Sequence, residues 1–198
     1  MDIKDLLFSL NKPCKPGAGS LLISEPLMED PYFARSVILL LDEPDDGGHF
    51  GLMINKLTSV TLKDLMPDWE YGHRIPIYCG GPVDMDRLFL IHNLGSRLGP
   101  CVEVIPGIFV GADIDQVISY LEEGGEAEGH LRFFLGYCGW SPGQLSAELS
   151  ANTWTVNPHP DGAGLLNGNG VSYWRKEVRQ LGEDYRSWLV VPENPSFN

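Results

Sequence analysis

Glycine and proline punctuate this chain more heavily than a helical architecture tolerates: 23 glycines and 15 prolines occur in 198 residues. That is roughly a fifth of the chain, against about 12% in ordinary domains. Glycine takes positive φ without steric cost, and proline interrupts helix interiors and strand ladders. Short elements joined by tight turns are therefore expected, and a long helical bundle is excluded. The densest punctuation is Tyr78-Cys79-Gly80-Gly81-Pro82-Val83. Pro82 pushes Gly81 out of the α region, and Gly80 is free to adopt positive φ. Such a turn either lets another backbone segment pack close or leaves N–H groups open to a ligand. Both readings stand at this level.

Between the turns the apolar residues fall into short runs. Leu21-Leu22-Ile23 and Val37 to Leu41 read as strands covered on both faces. Further strands are expected at His49 to Asn55, Pro76 to Cys79, Leu88 to His92, Val102 to Ile105, Ile108 to Val110 and His130 to Leu135. Helices announce themselves by their caps. Asp113 with Gln116 opens one that carries Ile114, Val117, Ile118 and Leu121 on one face and stops at Gly124-Gly125. Ser141 at N-cap, Pro142 at the first helical position and Gln144 at the third open another. Trp140 and Leu145 stand at its hydrophobic-staple positions, and Gln144 and Glu148 share a face. A last helix runs from Tyr173 to Leu181 with Gly182 as its stop, after an exposed loop from Asn157 to Gly170. At the start, Ile3, Leu6, Leu7 and Leu10 behind Asp2 form a short amphipathic segment, followed by a Pro/Gly hinge. The organisation is an arm and hinge over 1–18, a core over 19–156, and a loop with a C-terminal helix and tail over 157–198. Strands mixed with few helices and hairpin-length turns make this α+β, with a bent, largely antiparallel sheet.

At this length a single domain buries roughly 70% of its unfolded surface and needs neither disulfide nor metal to fold. With 14 basic against 27 acidic residues the formal net charge is −13. Nucleic-acid binding is driven by clustered cations that displace counterions, so no direct nucleic-acid partner is expected. The densest basic stretch, Trp174 to Arg179, already contains Glu177. Cys14, Cys79, Cys101 and Cys138 form no CxxC pair and have no histidine at ligand spacing, so no metal is expected. The cysteines read as free thiols, mostly small buried hydrophobes. The acidic N-terminus lacks a secretory pattern, and no stretch reaches the ~18 apolar residues of a membrane helix. A cytoplasmic protein without a membrane partner is expected.

No phosphate-cradling loop, nucleophile elbow, HExxH or dinucleotide fingerprint occurs, so no residue is assigned as catalytic and no cofactor is expected. His92 ends a strand-like run beside Asn93, where it either faces a cleft as a general base or sits buried against backbone. His49, His73, His130 and His159 lie beside turns or strand starts, as surface residues do. Cys79, beside two glycines, reads as an exposed thiol or an inert buried one.

Taken together and in order, several segments identify a family resemblance. They are Gly19 to Pro26, Phe33-Ala34-Arg35-Ser36-Val37, Gly51 to Lys56, Gly80 to Val83, Leu90-Ile91-His92, and Gly136 to Trp140 with Gln144-Leu145 and Glu148-Leu149. The sequence resembles the AlgH/YqgE family of bacterial proteins over about Gly19 to Trp154. The resemblance implies a bifurcated, partly barrel-like sheet surrounded by helices, a cytosolic protein, and no agreed catalytic residues. Some relatives carry the label of transcriptional regulator. With no helix-turn-helix legible and a negative charge, any regulation here is expected to run through a small molecule or protein partner. The sequence departs from the family at Cys138, where alanine is usual, and in a tail bearing Trp174, Tyr185 and Trp188.

The leading expectation is a non-enzymatic binding or regulatory module whose ligand site gathers Asn55, Gly80, Gly81, His92, Gln144 and Glu148. The rival is a hydrolase or transferase using His92 with Glu148 or Cys79. Self-association through the arm or the tryptophan-bearing tail is a third expectation.

Overall fold

The computed structural model describes residues 14–42, 47–69 and 75–193. The amphipathic arm at Asp2 to Leu10, the turn residues 43–46 and His73 lie outside the described residues.

The strands are β1 (Leu21–Ser24), β2 (Val37–Asp42), β3 (His49–Met53), β4 (Leu57–Thr61), β5 (Pro76–Cys79), β6 (Val83–His92), β7 (Val102–Ile105), β8 (Ile108–Val110), β9 (Leu131–Trp140) and β10 (Trp154–Asn157). The helices are α1 (Leu62–Leu65), α2 (Ile114–Glu122), α3 (Gln144–Ser150) and α4 (Gly170–Gln180), followed by a 3-10 segment over Glu183–Val190. One sheet runs β10-β1-β2-β3-β9-β6-β8-β7, with β4 attached through β5 and β5 alongside β9. Every pairing is antiparallel except β5 with β9. The fold class is the mixed, largely antiparallel one expected.

The bifurcation lies on β9. One edge of that strand pairs with β6. The opposite edge is divided: β5 runs beside Phe133–Leu135 and β3 beside Cys138–Trp140. Gly136 stands between the two at φ +70, and Gly80 crosses the fork. Gly80 donates its N–H to the Leu135 carbonyl, and its own carbonyl accepts from Met53, each at 2.8 Å. A β-carbon on Gly80 would lie 2.1 Å from the Gly136 oxygen, and one on Gly81 would lie 2.0 Å from the Tyr137 carbonyl carbon. Of the two readings of this turn, close backbone packing is the one its geometry displays.

Side-chain alternation along β1 and β2 sends residues to two cores. Leu21, Ile23, Val37 and Leu39 pack with Trp174, Val178 and Trp188 of α4 and the tail. Leu22, Ile38 and Leu40 pack with Trp140, Leu145 and Trp154 beside α3. Both strands are therefore covered on both faces, which is why they read as unbroken apolar runs. A third cluster joins α2 to β5, β6 and β9 through Val117, Leu121, Ile77 and Phe133.

Several expectations are corrected. The helix after Trp140 begins at Gln144, because Gly143 adopts φ +79 and breaks the turn opened by Ser141 and Pro142. The strand begun at Leu131 continues to Trp140, since Gly136 and Gly139 mark the fork and do not end the strand. The loop between Asn157 and Gly170 is not wholly exposed, because Leu165 and Leu166 fill the first core. Only Cys138 is buried among the four free thiols, the others being half-buried. No helix among the described residues is long and apolar enough to cross a membrane.

Candidate functional site

The six candidate residues do not form one group. Asn55 is fully buried at the end of β3. Its Oδ1 accepts from Val37 N–H, and its Nδ2 donates to the Arg35 and Gly170 carbonyls, all at 2.9 Å. Every polar atom of this amide is used to fasten β2 and the start of α4 to β3. Gly80 and Gly81 are the buried glycines of the fork.

His92 is fully buried and stacks on Phe109, with ring centroids 5.7 Å apart. The Leu94 N–H donates to its Nδ1, so Nε2 carries the proton and donates to the Gly111 carbonyl at 2.9 Å. Burial holds this imidazole below its ordinary value, against the opposing effect of the Gly111 bond. Neither nitrogen is left for a substrate, and His92 does not line the cavity that holds Glu148. Cys79 lies elsewhere, 2.7 Å from the Tyr32 hydroxyl. Burial first, then the thiol, raises the Tyr32 phenol far above its ordinary range.

Gln144 and Glu148 do come together. They lie one turn apart on α3 and line a cavity of about 610 Å³. Its walls are α3, the end of β9, the start of β10 and the loop leaving β1. The Glu148 carboxylate is held at three points. Its Oε2 accepts from the indole N–H of Trp140 at 2.8 Å and of Trp154 at 2.7 Å. Its Oε1 accepts from Gln144 Nε2 at 2.9 Å. Gln144 Oε1 in turn accepts from Ser141 N–H at 3.0 Å. Two buried tryptophans are thus oriented by one half-buried carboxylate, which also ties α3 to both flanking strands. Such charge-assisted bonds are roughly twice as strong as neutral ones and fix direction as well.

The opposite wall is built by local chemistry in the β1–β2 loop. Glu25 Oε2 accepts from Leu27 N–H at 2.6 Å, and Asp30 Oδ1 accepts from Tyr32 N–H at 2.8 Å. These side-chain turns present Met28, Glu29 and Phe33 to the cavity. Phe33 packs edge-on against Trp154 at 5.8 Å.

Trp154 is the residue that sequence reasoning missed. It marked only the end of the resemblance, and the six-residue interval to Glu148 gives no periodic signal. Trp140 reads from the sequence as a staple, which fixes its burial but not the direction of its N–H. Cys138, also on the cavity wall, donates to the Gly80 carbonyl at 3.3 Å. Burial pushes its thiol far up, with nearby Cys79 adding to the effect. No group of three or more histidine, cysteine or carboxylate residues among the described ones is arranged to hold a metal.

Comparison with known proteins agrees with this fold. Residues 21–186 match the family described as AlgH-like, DUF179. A UPF0301 protein of Bacteroides thetaiotaomicron is 38% identical over 183 residues, covering 92% of each chain. One from Parabacteroides distasonis is 37% identical over 184 residues with the same coverage. The solution structure of the AlgH protein from Pseudomonas aeruginosa superposes with a TM-score of 0.67 at 32% identity, over 86% of this chain and 93% of that one. A crystal structure from Corynebacterium diphtheriae, 22% identical, shares the fold with a TM-score of 0.75 over 94% and 98% of the two chains.

Proposed function

The chain belongs to the AlgH-like family, and we propose that it acts as a small-molecule binding module with the cavity around Glu148 as its site. One observation carries this reading: the cavity wall is fixed before any ligand arrives. Trp140, Trp154, Gln144 and Glu148 restrain one another through three hydrogen bonds, so little side-chain freedom remains to be lost on binding. The volume of about 610 Å³ suits a metabolite-sized guest.

Among the described residues, nothing in the cavity supports the hydrolytic rival, which needs a base near a nucleophile. Both ring nitrogens of His92 are engaged by backbone. The Glu148 carboxylate has two indoles and an amide as its neighbours, and neither His92 nor Cys79 lines its cavity.

Native mass measurement of the protein purified from its own cells tests the reading. A bound small molecule is expected in the natural chain and not in Ala151→Trp, which fills the cavity from an exposed position at the end of α3. A bare chain, or an adduct retained equally by that variant, would overturn the assignment.

A further inference from the structure

We propose that the cavity receives a small organic cation, an aliphatic amine or guanidine; this rests on the binding reading above and specifies its ligand. Among the described residues, the carboxylates of Glu29, Asp30 and Glu148 line the space beside that of Glu25, which accepts from Leu27 N–H, and no lysine, arginine or histidine does. Three aromatic side chains, Phe33, Trp140 and Trp154, share the same walls.

The charge on Glu148 is fixed without being cancelled. All three of its donors are neutral, two indoles and one amide. An ionised carboxylate offers about four acceptor positions, so one remains for a ligand N–H. A cation held there meets carboxylates on one side and aromatic residues on others, and aromatic rings attract cations. An anion would enter against like charges, and an uncharged guest would leave the negative potential unanswered. Glu29 and Asp30 are exposed, placed to attract a cation before it is desolvated. The cavity volume admits a guest of metabolite size, not a folded partner.

The test titrates the full chain with agmatine and with spermidine, reading affinity by calorimetry and location from the indole N–H resonances of Trp140 and Trp154. Glutarate and 1,5-pentanediol serve as anionic and uncharged comparators of similar length. Saturable shifts of both indoles with a cation are expected, and none with the comparators. Glu148→Gln should weaken binding at least tenfold while still offering an acceptor to the indoles. Glu29→Gln, on the exposed loop, should weaken it severalfold, and Glu123→Gln, outside the cavity, should leave it unchanged. Equal weakening by Glu123→Gln would reduce the effect to general acidity and end the proposal. Binding of glutarate or pentanediol in preference to the cations would refute the cation while leaving the binding module intact. If no probe moves either indole the cation is refuted, and a bare chain in the native mass measurement removes the binding module as well.

Discussion

At the scale of single residues, burial has turned polar side chains into fasteners. Asn55, His92 and Arg132 are all enclosed, and each bonds to main-chain groups of distant segments. Arg132 donates to the Ile54, Leu166 and Gly168 carbonyls and lies over the Tyr78 ring at 4.2 Å. For His92 this has a pH signature. Its folded imidazole is held below the ordinary value by burial, whereas the unfolded chain takes up a proton near pH 6.5. The stabilisation is therefore complete above about pH 6.5 and declines as pH falls from there towards the folded value, with a slope of at most about 1.4 kcal/mol per pH unit. Urea midpoints between pH 7.5 and 5.5 should fall for the natural chain and flatten in His92→Gln. Parallel profiles for the two would assign the decline to other groups. Asn55 and His92 stand out in the sequence as candidates and Arg132 does not, and the partners, up to 115 residues away for Asn55, are not legible there.

Among elements, the fork in the sheet depends on glycines where three backbones meet. Gly80 and Gly107 offer a controlled comparison. A methyl group at Gly80 would collide with the Gly136 carbonyl oxygen at 2.1 Å, backbone that cannot yield, and would also press on Leu52 Cδ2 at 2.9 Å. At Gly107 nothing lies within 4 Å, and only the positive φ of +80 is strained. Gly107→Ala should cost about 1 kcal/mol. Gly80→Ala should exceed 4 kcal/mol and leave little folded protein. Denaturation midpoints decide the matter, and similar losses at both sites would mean that the fork is more compliant than its geometry indicates. Helix α3 shows how local signals go astray by a turn. Ser141, Pro142 and Gln144 carry the spacing of a helix start, yet Gly143 takes the left-handed conformation. The Gln144 side chain still reaches back to the Ser141 N–H, as a capping residue does, so the chemistry is right and the boundary is displaced.

The whole molecule is held closed by its C-terminal segment. Trp174 of α4 and Trp188 of the 3-10 segment lie parallel, 6.5 Å apart, with Tyr185 edge-on to Trp188. Arg35 lies over Trp174 at 4.2 Å and donates to the carbonyls of Val191 and Pro192. These aromatics are buried in their own chain. Trp188→Ala should cost about 3–5 kcal/mol, read from the thermal or urea transition, and a loss under 1 kcal/mol would show the tail to be an accessory. Two of the three basic residues of α4 are tied to backbone, Arg175 donating to the Leu189 carbonyl and Lys176 to that of Gly164, while Arg179 is exposed. The sequence by itself determined that this chain would be short-stranded and α+β, with two-sided β1 and β2 and helices over Ile114–Glu122 and near Tyr173. Glycine, proline, capping residues and apolar spacing act within a few residues of themselves, so those features are written locally. Only the tertiary structure decided that Glu148 would meet Trp140 and Trp154, that the loop after β1 would wall a cavity there, and that His92 would be sealed away from it. Those outcomes depend on which distant backbones lie side by side in the forked sheet, and no spacing along one segment encodes that.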